Sequence, residues 1–279
     1  MNRKSFLEEV KIGATEELSL RLSIATLVRV LFEHPRVGTM MLALERKATL
    51  LGSEGEHFVD VKSQPFGGAM RLLDLDALQK RIGEFHFDSE ESRAERDFRI
   101  FIRPAVWATI REFCLEYFRQ PNDAILESDP TRELTEEFYD TLEIHLKPDQ
   151  YTCEAIGTLI EENPSPTENI HARGYPTVRI YRIFEARILH PAVISAMLEN
   201  SETCSDKILG KRALEDSLNG GPGRANAVLT LPFREINDFH LGIPRAARNQ
   251  RVYFQSHRLD ETVAAVLEGV MIPKYREHL

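Results

Sequence analysis

The sequence predicts a mixed α/β domain, on three observations. Residues 129–142 read as a helix with its start written in and one apolar stripe. Strand-like alternation recurs at 57–62, 97–104 and 177–188. No linker, internal repeat or low-complexity tract divides the chain. At 279 residues it is long enough for one large domain or two ordinary ones, and its 42% hydrophobic and 28% charged content suits a globular core.

Taken in order, residues 5–33 read as helical, because Leu27, Val28, Val30, Leu31 and Phe32 precede Pro35, which disfavours helix at His34. This segment, 1–36, is expected to pack on the rest or to form a homodimer contact. Residues 37–44 read as a buried strand and 57–62 as an alternating one, joined by a polar turn at 52–56. Gln64-Pro65-Phe66-Gly67-Gly68 follows as a glycine turn. Residues 75–82 read as a helix, 88–91 as an acidic stretch, and 97–104 as a strand. Residues 106–118 form an aromatic-rich amphipathic helix with the only tryptophan, Trp107.

In the 129–142 helix, Asp129 is a good N-cap and Pro130 suits the first helical position, where no amide hydrogen is needed. Leu134, Phe138 and Leu142 form the apolar stripe. Glu133, Glu136 and Glu137 fall within roughly 100° of arc on the neighbouring face. Three such carboxylates repel one another unless a cation sits among them, and Mg²⁺ or Mn²⁺ would suit their oxygens. A solvated acidic face is the common alternative.

Further on, 144–159 reads as irregular strand or helix and 163–167 as a loop. Residues 177–188 are the best strand in the chain. From it, Arg179, Arg182 and Arg187 could face a phosphate-bearing ligand, with Arg179 and Arg182 taken as the candidates. A Gly-rich loop at 219–224 precedes a strand at 227–232, and it lacks the Gly-Lys-Ser/Thr of a P-loop. A strand-to-helix step at 231–236 and a closing helix at 260–270 complete the reading.

Arg132-Glu133-Leu134-Thr135-Glu136-Glu137 matches R-E-U-x-E-E, the core of the Nudix box, and the chain therefore resembles the Nudix hydrolase superfamily. The order Gly67-Gly68, then Asp97-Phe98-Arg99-Ile100, then a helix, then the box is similar to divergent Nudix domains of bacterial nucleotide-signalling defence systems. The resemblance implies a mixed sheet sandwiched between helices over 37–279, with an N-terminal helix and a large insertion at about 70–128 before the box helix. It also implies that Glu133, Glu136 and Glu137 hold Mg²⁺ or Mn²⁺, that Arg132 orients them, and that backbone at Gly67 and Gly68 lines the site. The implied activity is hydrolysis of a nucleoside diphosphate linked to another group. The other reading is an inactive module that binds a nucleotide and signals to a partner protein.

Three departures from the family's pattern bear on that choice. Gly68 and Arg132 are 64 positions apart, so a segment is inserted. Ala124 stands where the box has its first glutamate, with Glu127 the near substitute, and Tyr139 replaces the following glycine. An extra carboxylate acting as base could be Glu161, Glu162 or Glu185.

Other chemistries find little support. The nine histidines include no metal-binding pair, and Cys114, Cys153 and Cys204 have no metal or catalytic spacing. Three unpaired-looking thiols and no signal core point to a reducing cytoplasm. A net charge of −9 argues against a nucleic-acid surface and against a transcription regulator, and no run approaches the ~20 apolar residues of a membrane span.

Overall fold

The computed structural model describes residues 18–53, 56–121, 124–167, 172–233, 252–254, 257–259 and 276–277. They form a mixed, mostly antiparallel sheet and six α-helices.

At the middle of the sheet lies β1, Leu20–Glu33. The helix expected over 5–33 is corrected here, since 20–33 is a strand; residues 5–17 lie outside the described residues. The reason is visible in the burial. Leu22, Ile24, Val28, Val30 and Phe32 point to one face, Ala25, Leu27 and Leu31 to the other, and all are buried. A strand covered on both faces shows a near-continuous apolar run, which periodicity alone does not separate from a buried helix.

β1 runs parallel to β7, Pro176–Ile188, from Arg21 opposite Thr177 to Leu31 opposite Arg187. Its other edge is shared. β5, Arg99–Ile102, pairs with its start, and β2, Met40–Ser53, pairs with its end. Beyond that hairpin β2 leaves β1 and pairs with β3, Glu56–Gln64, on one edge and β8, Arg224–Pro232, on the other. β1 and β2 therefore make a fork. The chain after β3 rounds its inside, where the Val28 and Thr26 amides donate to the carbonyls of Phe66 (2.7 Å) and Gly68 (2.9 Å). The division expected at residue 36 falls in the β1–β2 turn, so both sides of it belong to one sheet.

β6, Tyr151–Pro166, lies antiparallel on β7. It takes in most of the loop expected at 163–167, and the register shifts between Glu161 and Ser165. A bulge is one of the places where a strand tolerates proline. The short strands β4 (His86–Phe87), β9 (Val252–Phe254), β10 (His257–Leu259) and β11 (Arg276–Glu277) complete the sheet.

The helices are α1 (Leu75–Ile82), α2 (Glu90–Glu95), α3 (Trp107–Arg119), α4 (Thr131–Leu142), α5 (Pro191–Thr203) and α6 (Asp206–Leu218). α1 and α3 appear where the sequence predicts them. The Asp74 carboxylate caps α1 by accepting from the Ala77 amide. α3 buries Ile110, Phe113 and Phe118 against Leu22, Ile24, Ile100 and Ile180. The expected insertion thus supplies a strand and a core rather than an appendage. α5 and α6 were not anticipated, although Pro191 at the first position of α5 and Ser205, which accepts from the Ile208 amide, are ordinary start signals. The closing helix expected at 260–270 lies outside the described residues, as do residues 234–236. No described helix is long and apolar enough to cross a membrane.

Candidate functional site

The carboxylate-rich helix is α4. Pro130 holds the cap position, and the Asp129 carboxylate accepts the Thr131 amide at 2.8 Å, so the start written in the sequence is used one residue later than expected. Leu134 and Phe138 are fully buried, each contributing about 1.5–3 kcal/mol by removal from water. They pack with Val28, Phe66 and Phe184, and the Phe66 and Phe138 ring centroids are 5.0 Å apart. This seat presses the neighbouring face of α4 onto the glycine turn inside the fork.

Each glycine of that turn meets one glutamate. The Gly67 amide donates to Glu137 Oε2 at 2.6 Å. A side chain at Gly67 would overlap the Thr26 carbonyl, and its φ of +130° favours glycine as well. At Gly68, a Cβ would overlap the Glu133 carboxylate. Glu133 and Glu137 are one helical turn apart and share a face, so adjacent glycines can receive both.

β2 supplies the other wall. Glu45 and Lys47 continue the row of Met41 and Ala43 on the face toward α4. Lys47 Nζ lies 2.7 Å from Glu45 Oε2 and 3.2 Å from Glu137 Oε1. Gln64, cross-strand from Glu45, donates to the same Oε2 at 2.9 Å, while the buried Oε1 of Glu45 has no hydrogen-bond partner. Glu45 is 0% exposed. Burial, with Glu45 close by, pushes Glu137 well above the ordinary glutamate range despite its bonds to Lys47 and Gly67. Burial works against the charge on Lys47, yet Glu137 and Glu45 hold its ammonium above the ordinary lysine range.

Arg132 serves the outer carboxylates. Its Nε meets Glu127 Oε2 at 2.8 Å, Nη2 meets Glu133 Oε1 at 2.6 Å, and Nη1 meets Glu136 Oε2 at 2.8 Å. Glu133 is nevertheless raised, chiefly by burial. Glu136 is 53% exposed and sits on the rim rather than against the glycines. The predicted trio is thus divided: Glu133 and Glu137 reach the turn, and Glu136 reaches Arg132.

The strand arginines do not share a face. Arg179 bonds Glu161 (2.7 Å) and Ser165 (2.8 Å). Arg182, three residues on and so on the opposite face of β7, is buried with its guanidinium 5.1 Å from the Phe118 ring centroid and 5.3 Å from that of Phe184. Burial lowers its pKa. Of the three carboxylates open as a base, Glu161 is held by Arg179 and Glu185 by Arg29 and Arg187, on the face of β7 away from α4. The Glu162 side chain lies outside the described residues. Tyr139 stacks on His145 with centroids 4.4 Å apart, on the exposed side of α4, and Ala124 lies in the turn before Leu126.

Glu45 and Lys47 were missed by sequence reasoning. The available signal was three successive charges, Glu45, Arg46 and Lys47, between the apolar stretches 40–44 and 48–51, with Glu45 and Lys47 sharing one face at strand spacing. Which acid they would meet was not readable locally.

Chemically, five carboxylates (Glu45, Glu127, Glu133, Glu136 and Glu137) share two cations, Lys47 and Arg132. Hard oxygen donors and an orphaned buried carboxylate oxygen fit Mg²⁺ or Mn²⁺. As they stand, no three acidic, His or Cys side chains among the described residues are gathered into a ready metal cluster; Lys47 and Arg132 lie between them. No protein-family model matches the chain, and no match was found among curated proteins or solved structures.

Proposed function

We propose that the chain is a Mg²⁺- or Mn²⁺-dependent hydrolase of a nucleoside diphosphate linked to another group, on a Nudix-type α/β/α sandwich. The observation that carries this reading is the seating of Glu133 and Glu137 against Gly68 and Gly67. A helix bearing the R-E-U-x-E-E order is thereby pressed on a paired-glycine turn, as the resemblance implies.

In this reading Glu133 and Glu137 hold the cation, with Glu45 from β2 and Glu136 from the rim in support. Bound there, a divalent metal would polarise a phosphoryl oxygen and lower the pKa of a water. The chain's own groups prepare the place. The Gly67 amide fixes one oxygen of Glu137, Arg132 fixes Glu133 and Glu136, and the bare Gly68 leaves room for the Glu133 carboxylate. The nucleotide-type substrate and a cytoplasmic location belong to the same proposal. Arg179 carries less of it, being bonded to Glu161 and Ser165, while Arg182 is packed on Phe118 and Phe184 with its Nε and Nη1 unmatched among the described residues.

A second reading is an inactive module that binds a nucleotide for a partner protein. One observation favours it: the cations among the carboxylates are Lys47 and Arg132, which belong to the protein. Incubation of wild type and Glu137→Gln with a panel of nucleoside diphosphate derivatives and Mg²⁺ or Mn²⁺ separates the two. The hydrolase reading expects product from wild type and at least about a hundredfold less from Glu137→Gln, the scale of losing a group that acts mainly in the transition state. Nucleotide that raises the melting temperature while no product forms would select the binding module.

A further inference from the structure

Lys47 stands in an unusual position for a strand lysine. Its ammonium is shared by two carboxylates from elements 90 residues apart, Glu45 beside it on β2 and Glu137 on α4. Glu45 is fully buried, and one of its oxygens has no partner at all. A single positive charge therefore serves two carboxylates, and the one nearer to it is left half-satisfied. Among the described residues, the other side-chain bond to Glu45 comes from a neutral amide, Gln64. Arg132 adds nothing here, because its three nitrogens are spent on Glu127, Glu133 and Glu136.

We propose that Lys47 is the resident cation of this site and competes directly with a divalent metal for Glu45 and Glu137. The inference rests on the reading that the site takes a divalent cation, and it adds a device that regulates occupancy. A divalent ion carries twice the charge of an ammonium and accepts several oxygens at once, so it can engage the orphaned Glu45 oxygen that Lys47 leaves alone. Lys47 is tethered beside the pair and competes at a high effective concentration. Metal enters only by displacing it. The side chain has a way out, being 36% exposed.

Lys62 provides the control. It lies directly cross-strand from Lys47, on the same face, and pairs with Asp60 at 3.5 Å. Removing either lysine takes one positive charge from the neighbourhood, but only Lys47 touches Glu45 and Glu137. A general electrostatic effect moves both variants; competition moves one.

The test is calorimetric titration of Mn²⁺ into wild type, Lys47→Met, Lys62→Met and the double variant Glu45→Gln/Lys47→Met. Lys47→Met is expected to bind at least ten times more tightly than wild type, Lys62→Met within about threefold of it, and the double variant to lose most of the gain. Equal or weaker binding by Lys47→Met, an equal gain in Lys62→Met, or no Mn²⁺ binding by any variant overturns the proposal. Should Lys47→Met fail to fold, wild type alone suffices. Labelling with an amine-reactive reagent, read by peptide mass spectrometry, should rise several-fold at Lys47 on adding Mn²⁺ while Lys80 on α1 stays constant; an unchanged Lys47 overturns the idea. Failure of the hydrolase reading looks different: no substrate in the panel is cleaved, yet Lys47→Met still gains Mn²⁺.

Discussion

Glu185 and Glu137 are both well-buried carboxylates, one on β7 and one on the helix that packs against the other face of that strand, and their surroundings are opposite. Glu185 has two arginines to itself, Arg29 at 2.5 Å and Arg187 at 2.9 Å. Burial raises its pKa, but those hydrogen bonds outweigh it and hold the group below the ordinary range. Glu137 shares one lysine with Glu45, and its proton affinity goes up. Burial raises the proton affinity of both groups, and it does so more at Glu137, which lies deeper in the protein. The ratio of cations to carboxylates widens that difference, and of the two sites the one short of cations is left with a use for another.

The largest expected effect comes from removing the seat of the acid-rich side. Phe138→Ala empties the contact with Phe66 under α4 and should cost about 3–5 kcal/mol in denaturant unfolding. It should also weaken Mn²⁺ binding, since α4 no longer presses on the turn. Preserved metal affinity in a folded Phe138→Ala protein would show that the seat does not position the carboxylates.

A smaller effect carries a sign. Glu185 has a lowered pKa, so its contribution is present above the ordinary glutamate value, about 4.3, and is lost as pH falls through its folded value. Glu185→Gln should therefore lose about 1.5–3 kcal/mol at pH 7, with the gap closing in acid. Glu133 has a raised pKa, so the folded protein binds the extra proton and stability falls as pH climbs from about 4.3 toward that raised value. Relative to wild type, Glu133→Gln should gain over the same climb. Unfolding curves of the three proteins across pH give the comparison directly, and two gaps that move in the same direction as pH rises would dissolve the contrast.

The smallest effect is expected on the rim. Glu136→Gln breaks only an exposed pair with Arg132 and should change stability by no more than about 0.5 kcal/mol, read as a small melting shift. A loss of 2 kcal/mol or more, far above that scale, would place Glu136 inside the charge network rather than at its border.

What could be read from the sequence was what depends on near neighbours. α4 was legible because its cap, its proline and its four-residue stripe lie within one stretch, and α1 and β7 for similar reasons. β1 was not, because burial on both faces erased its alternation. The 163–167 segment was misread because a bulge, which tolerates proline, depends on the partner strand. The candidate site shows the same division. Glu133, Glu137, Gly67 and Gly68 were each visible, while Glu45 and Lys47 acquire their meaning only when β2 and α4 meet across 90 residues of chain. Arg179 and Arg182 were placed together although a spacing of three puts them on opposite faces of a strand.

The parallel pairing of β1 with β7 has a consequence for how the protein is made. Arg29 and Glu185, which face each other across it, are 156 residues apart. At roughly 5–20 residues per second, a ribosome needs about 8–30 s to supply the partner after β1 has emerged. Throughout that interval one edge of β1 can be covered by a four-residue hairpin with β2, by the turn at 66–70 and, later, by the short β5, while the edge that β7 will take stays open. Slow translation or heat should therefore expose a sticky nascent chain, and yield of soluble protein should depend on chaperones that hold unpaired strands more steeply than the stability of the finished fold would suggest.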